Sequence, residues 1–228
     1  MAFSSLFDIF LQGIPHSTPP TEISASLDRI AHPIRTEDNG IMPLENGRDW
    51  LVYIGGGATK LIANASGGRE QIVAFHFGGD LLSIPADASH SYSLWALSRT
   101  EALAFPTAEF LRRTRMEPAF DNILLSRSLT ALHRCRDKAV GLGRKNAEER
   151  LASFLVGMAE RIGKAAGRHC TLDLPMSRRD IGDSLGLTIE TISRQFSNLR
   201  KAGLIETQGR SRVILRAPAQ LAMRAGHI

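Results

Sequence analysis

Met176-Ser177-Arg178-Arg179-Asp180-Ile181-Gly182-Asp183-Ser184-Leu185-Gly186-Leu187-Thr188-Ile189-Glu190-Thr191-Ile192-Ser193-Arg194 is the stretch that decides the reading of this chain. It predicts two short helices around a tight turn. Ser177 followed three residues later by Asp180 suits a helix N-terminus, because each side chain can satisfy a backbone N–H that the first turn leaves without a partner. Leu185-Gly186 ends that helix, since glycine leaves helical geometry at little cost. Thr188 is a second N-cap. In the helix that follows, Ile189, Ile192, Phe196 and Leu199 are spaced 3, 4 and 3, which predicts one buried stripe. The other face carries Glu190, Thr191, Ser193, Arg194, Ser197 and Arg200. Arg can bond a guanine bidentately, Glu can accept from a cytosine amino group, and Ser can donate or accept. Glu190 and Arg194 are four apart near the N-terminal end, where a recognition helix meets base edges. The plainer alternative is a solvated face on which Glu190 and Arg194 form a weak pair with each other.

Charge favours the first reading. The chain has 228 residues and a net charge of +5. From Arg144 to Ile228 there are 15 lysines and arginines against 8 acidic residues, net +7; from Met1 to Gly143 there are 13 against 15, net −2. The positive charge therefore lies with the helix-turn-helix pattern, as expected of a phosphate-binding module joined to a nearly neutral one.

Other classes lose ground. Two cysteines, Cys135 and Cys170, are too few for a disulfide framework or a cysteine cage for zinc or iron–sulfur. The seven histidines show no H-x-H or H-x-x-x-H spacing, so no metal site is expected, and an enzyme of the cupin type, which needs clustered His and Glu ligands, is disfavoured. The first residues hold Asp8 and no basic segment, unlike a secretory leader. The longest apolar run, Leu151 to Ala159, is too short to cross a bilayer. A cytoplasmic protein that is not an enzyme is the expectation. A binding module whose C-terminal half contacts protein rather than DNA is the third class, against which the net charge of that half speaks.

Working outward, residues 50–106 are strand-like: Trp50–Ile54, Thr59–Ala63, Gln71–Phe77, Tyr92–Leu97 and Glu101–Phe105. The pairs Gly56-Gly57, Gly67-Gly68 and Gly78-Gly79 recur every 11 residues, the rhythm of strand and turn in a small antiparallel roll. A helix is predicted over Glu22–Ala31, a long one over Phe120–Leu142 and another over Asn146–Ile162. Gly163–Gly167 reads as a loop and Cys170–Leu174 as a short strand. After the second helix of the pair, Ile205-Glu206-Thr207 and Arg212–Leu215 flank a turn, a basic hairpin placed as a wing. In the long helix a seam runs through Phe120, Leu124, Arg127, Ala131, Cys135, Lys138 and Leu142, whose steps of 3 and 4 suit a two-helix dimer contact. The fold class is therefore α+β: an antiparallel β-roll over residues 1–107, a dimerisation helix over 108–143, and a winged helix-turn-helix over 144–228.

That order of parts resembles the CRP/FNR family of bacterial transcription factors, and the likeness covers about Ile30 to Leu215. Gly67 to Leu82, Lys145-Asn146-Ala147-Glu148-Glu149-Arg150-Leu151-Ala152 and Leu174 to Arg194 are similar to the FNR branch. The resemblance implies that Arg194 reads G, Glu190 reads C and Ser193 reads T in half-sites like TTGAT. A homodimer would bind a TTGAT-N4-ATCAA-like palindrome. Thr188 and Thr191 would lie against phosphates, with Arg178, Arg179, Ser197, Arg200, Arg210 and Arg212 as further candidates for the DNA backbone. The implied partners are double-stranded DNA, a second copy of the chain and RNA polymerase, with no membrane. Two departures bear on sensing. No cysteine occurs from Met1 to Ile30, where that branch holds an iron–sulfur centre, and Tyr92 stands where the cyclic-AMP branch needs an arginine. What remains resembles FixK-type members, so no cofactor is expected; a haem- or ligand-dependent sensor is the alternative. Cys135 reads as an apolar filler, and Cys170 as a packed thiol, with a redox switch as its alternative reading.

Overall fold

The computed structural model describes residues 3–13, 21–65 and 68–226. All five expected strands form, at β2 (Trp50–Gly56), β3 (Ala58–Ala65), β4 (Arg69–Phe77), β6 (Ser91–Ala96) and β7 (Thr100–Pro106). Two more join them, β1 (His32–Thr36) and β5 (Leu81–Ile84). They build two antiparallel sheets, in the orders β1-β7-β2-β5 and β4-β3-β6. Pro33 falls in β1, an edge strand, where its missing N–H costs no ladder bond. Of the three glycine pairs, the second members Gly57, Gly68 and Gly79 all have positive φ, as tight turns require; Gly67 lies outside the described residues.

The first sheet is buried on both faces, which is why Trp50-Leu51-Val52-Tyr53-Ile54 reads as a continuous apolar run rather than an alternation. Trp50, Val52, Ile54, Ala102 and Ala104 pack with Leu61 and Leu94 of the second sheet. Leu51, Tyr53, Leu103 and Phe105 point the other way and meet helices α1 (Phe3–Gln12), α2 (Thr21–Asp28) and α3 (Thr107–Thr114) through Leu6, Phe7, Phe10, Leu27 and Phe110. Helix α1 is not among the helices the sequence predicts. Its signal is the 1 and 3 spacing of Leu6, Phe7 and Phe10, one apolar stripe in a short helix.

Helix α4 runs unbroken over Pro118–Arg144. The chain divides into two compact units within it, Met1–Leu132 and His133–Ile228, rather than near Gly141-Leu142-Gly143 as expected. The reason is that the last turns of α4 bond to the C-terminal half. In that unit, α5 (Ala147–Ile162), α6 (Arg178–Leu185), α7 (Ile189–Lys201) and α8 (Pro218–Arg224) accompany a sheet of order β10-β11-β9-β8. Its strands are β8 (Lys164–Ala166), β9 (His169–Asp173), β10 (Ile205–Gln208) and β11 (Arg212–Leu215). Residues 164–166 thus pair as a strand instead of forming a loop, with the turn at Gly167.

Two seam assignments change. Phe120 is fully buried in its own unit, its ring 5.8 Å from that of Phe110, so it is core and not available to a second chain. Lys138 donates to Ser184 Oγ at 3.1 Å and so faces α6. The exposed large apolar residues of α4 are Leu125, Leu129, Leu132, Val140 and Leu142. The first three, stepping 4 and 3, form a stripe offset by one or two residues from Leu124, Arg127 and Ala131 of the expected seam.

Candidate nucleic-acid interface

Local capping sets the helix pair. Ser177 Oγ accepts from the Asp180 N–H at 3.1 Å, while the Ser177 N–H donates to Asp180 Oδ2 at 2.9 Å, a closed capping box at the start of α6. Helix α6 ends at Gly186 in the left-handed region, φ 64°. The Leu187 N–H then donates to Gly182 O at 2.9 Å, which makes the turn tight. Thr188 Oγ1 accepts from the Thr191 N–H at 3.2 Å and starts α7.

Helix α7 buries Ile192, Gln195, Phe196 and Leu199. Ile189 was expected in this stripe but is 40% exposed, because it occupies the first helical position, before the helix reaches its packing partner. Gln195 joins Ile192, Phe196 and Leu199 on the inner face, where its Oε1 accepts from Asn198 Nδ2 at 3.2 Å. Sequence reading missed it because a polar residue gives no hydrophobic period.

The outer face places the candidate readers together. Glu190 and Arg194 are exposed and Ser193 is half-buried. Among the described residues no ion pair joins Glu190 to Arg194. The Glu190 carboxyl is held below its ordinary range by its own backbone N–H, by the Thr188 side chain and by the charge of Arg179, so it is an anion at the N-terminus of α7.

The expected phosphate contacts differ among themselves. Arg179 and Arg210 are exposed. Thr191 is half-buried, and its hydroxyl accepts from Thr188 Oγ1 at 3.2 Å. Arg178 is half-buried with its guanidinium 4.7 Å from the centre of the Phe196 ring, a packing position. Ser197 Oγ donates to Ser193 O at 3.1 Å, within its own helix. Arg200 reaches the β10–β11 hairpin, its Nη1 3.5 Å from Thr207 Oγ1. Arg212 Nε bonds Asp173 Oδ1 at 2.9 Å, and Lys164 Nζ lies 3.5 Å from Asp173 Oδ2. The Arg212 hydrogen bond, ahead of both cations' charge, holds the Asp173 carboxyl below its usual range. One carboxylate thus offsets part of the positive charge at the wing. Cys170 is half-buried beside Gly163 and Cys135 is exposed. Among the described residues no helix is long and apolar enough to cross a membrane, and no three His, Cys, Asp or Glu converge as metal ligands would.

A capped helix pair, an outward polar face and an adjoining basic hairpin define a winged helix-turn-helix, and residues 149–224 match the model of the Crp-like helix-turn-helix domain. The chain is 36% identical over 173 residues to the nitrogen fixation regulation protein FixK of Rhizobium meliloti, covering 76% of this chain and 77% of that protein. It is 38% identical to the FixK of Bradyrhizobium diazoefficiens over 149 residues, which span 65% of this chain and 63% of the relative's length. The solved structure of FixK2 from Bradyrhizobium japonicum is 30% identical, with a TM-score of 0.73 over 85% of this chain and 96% of that one. The chain belongs to the CRP/FNR family of transcription regulators, in its FixK branch.

Proposed function

We propose that this protein regulates transcription, as an activator, by binding double-stranded DNA as a homodimer. The site is a TTGAT-N4-ATCAA-like palindrome, read by Glu190, Ser193 and Arg194 of α7. The observation that carries the reading is the exposed Glu190 and Arg194 on one face of a capped helix, with no ion pair between them. Both are thereby available for base edges, Arg194 as a bidentate donor and Glu190 as an acceptor. Arg179, Arg200 and Arg210, with the hydroxyls of Thr188 and Thr191, supply phosphate contacts that fix orientation without reading sequence.

The stripe Leu125, Leu129 and Leu132 supports dimerisation through α4, because a stripe of leucines stepping 4 and 3 buries itself against a second helix of the same kind. Two-fold pairing would place two reading helices about one helical turn of DNA apart, matching a palindrome. The protein acts in the cytoplasm, where RNA polymerase is the second macromolecular partner. Fluorescence anisotropy with the palindrome and a scrambled duplex, at moderate salt, tests the reading. Preference for the palindrome by about 10³-fold or more is expected of specific binding; equal affinities would overturn it.

A further inference from the structure

Arg150, on the first turns of α5, donates to three backbone carbonyls: Nε to Lys145 O at 2.9 Å, Nη2 to Leu142 O at 2.8 Å and Nη1 to Leu185 O at 3.1 Å. Leu142 lies in the last turn of α4, Lys145 is the first residue after it, and Leu185 is the last residue of α6. Carbonyls at helix ends have no partner within their helix and carry the negative end of its dipole. A planar cation with a fixed fork of donors suits such a junction, where a lysine reaches one acceptor well.

Neighbouring contacts converge on the same junction. Lys138 Nζ donates to Ser184 Oγ at 3.1 Å, one residue before the end of α6. A Cβ on Gly186 would lie 3.5 Å from Leu142 Cδ2 and 3.8 Å from Arg150 Nη1, so the turn after α6 sits against both residues. Arg150 is itself oriented by the capping box of α5. The Asn146 N–H donates to Glu149 Oε2 at 2.8 Å, and Asn146 Oδ1 accepts from the Glu149 N–H at 3.1 Å. On α4, Lys138 and Leu142 share a face, being four residues apart. Arg136 and Val140 are two residues from them, about 200° around the helix, and are exposed. One face of the last turns of α4 is therefore fastened to α6, and the opposite face is open.

We propose that Arg150 is a positioning residue for DNA binding. It rivets the end of α4 to the end of α6, and so sets the half-site spacing that the reading helices accept. The proposal rests on the dimeric reading above, in which the open face of α4 meets a second copy. If α4 carries the dimer contact, the rotation of α6 and α7 about its end decides where each α7 meets the duplex. Losing the rivet frees that rotation and leaves the base-reading face of α7 intact.

The test compares wild type, R150A, R150K and K138M in the full chain. Anisotropy is measured on duplexes with two TTGAT half-sites separated by N4 or by N6, and on a single half-site duplex against its scramble. The wild type is expected to favour N4 over N6 by about tenfold or more, and R150A by less than about threefold, with R150K between them and the single-site preference unchanged. An N4-to-N6 ratio in R150A and R150K equal to that of a discriminating wild type overturns the proposal, as does a wild type indifferent to spacing. If R150A also loses its single-site preference, its reading unit has not folded, and R150K and K138M decide by the same ratio. Amide exchange without DNA gives a separate reading. Residues 142–145 and 182–186 should exchange about tenfold faster in R150A and R150K than in wild type, while the β10–β11 hairpin does not. Unchanged exchange at both segments overturns the rivet even if the wild type prefers neither TTGAT duplex, a result that would independently sink the proposed function.

Discussion

Gly157→Ala and Gly182→Ala are the same chemical change in two helices, and the structure gives them opposite signs. Alanine is favoured over glycine inside a helix by roughly 0.5–1 kcal/mol, because glycine loses more backbone freedom on folding. At Gly157, within α5, a Cβ would meet no heavy atom within 4 Å, so Gly157→Ala should keep that gain. At Gly182, within α6, the Cβ would lie 2.7 Å from the Leu187 carbonyl oxygen and 3.4 Å from Ile192 Cγ1. The oxygen belongs to backbone that cannot rotate away, since the Leu187 N–H is bonded to Gly182 O at 2.9 Å. Relief requires the turn between α6 and α7 to shift, and overpacking of this kind costs about 1–3 kcal/mol. The two variants should then differ in stability by about that amount. A chain of this size moves about 2–4 °C in Tm per kcal/mol, so their melting points should separate by about 2–12 °C, with Gly157→Ala above wild type. Thermal unfolding followed by circular dichroism measures the separation. Because the shift at Leu187 displaces the Thr188 cap, Gly182→Ala should also weaken binding to the TTGAT palindrome, and Gly157→Ala should not. Equal Tm changes of the same sign in both variants would refute the packing argument.

Arg194→Ala should cost about 1–3 kcal/mol on the palindrome and relax preference at the G position, whereas Arg200→Ala should weaken all duplexes alike and lower the salt slope by about one unit; anisotropy titrations over a salt series separate the two. Phe120→Ala should destabilise the protein by about 3–5 kcal/mol through the cavity left beside Phe110, while Leu129→Asp should convert dimer to monomer in sedimentation velocity and make Tm independent of protein concentration. Burial lowers the Lys138 pKa from 10.5 to about 8, so in the pH window between those values the unfolded chain binds a proton that the folded one does not. That penalty on folding is complete below about pH 8 and fades toward 10.5; wild type should gain stability relative to Lys138→Met over that range in urea titrations, and parallel pH profiles would count against it. Specific DNA binding should need no added cyclic nucleotide, iron or haem, and a large affinity gain on adding any of them to the anisotropy assay would show that a sensor ligand had been overlooked.

What could be read from the sequence depended on how far each group sits from its partner along the chain. Ser177, Thr188 and Asn146 are caps whose partners lie within three residues, so their text is enough to predict them. Five of the seven described strands of the roll were legible because β-rich runs and glycine turns are local too. The exposed stripe of α4 was not, because apolar residues surround that helix: Phe120, Leu124, Leu125, Leu129 and Leu142 admit more than one seam, and the position of Phe110 shows that Phe120 belongs to the core. Gly182 reads as an ordinary helix glycine until Leu187 is brought against it. Arg150 reads as one more charge on a basic half, yet its three acceptors include Leu185, 35 residues away, and Lys138 meets Ser184 across 46. These are polar side chains serving backbone and hydroxyl groups of other helices, and they carry no period and no spacing signature. The residues proposed to read bases form a local pattern on one helix, while those proposed to aim that helix are dispersed along the chain. On the proposed reading, the motif Glu190-x-x-Ser193-Arg194 would identify which bases are read, and residues outside it would set the spacing at which they are read.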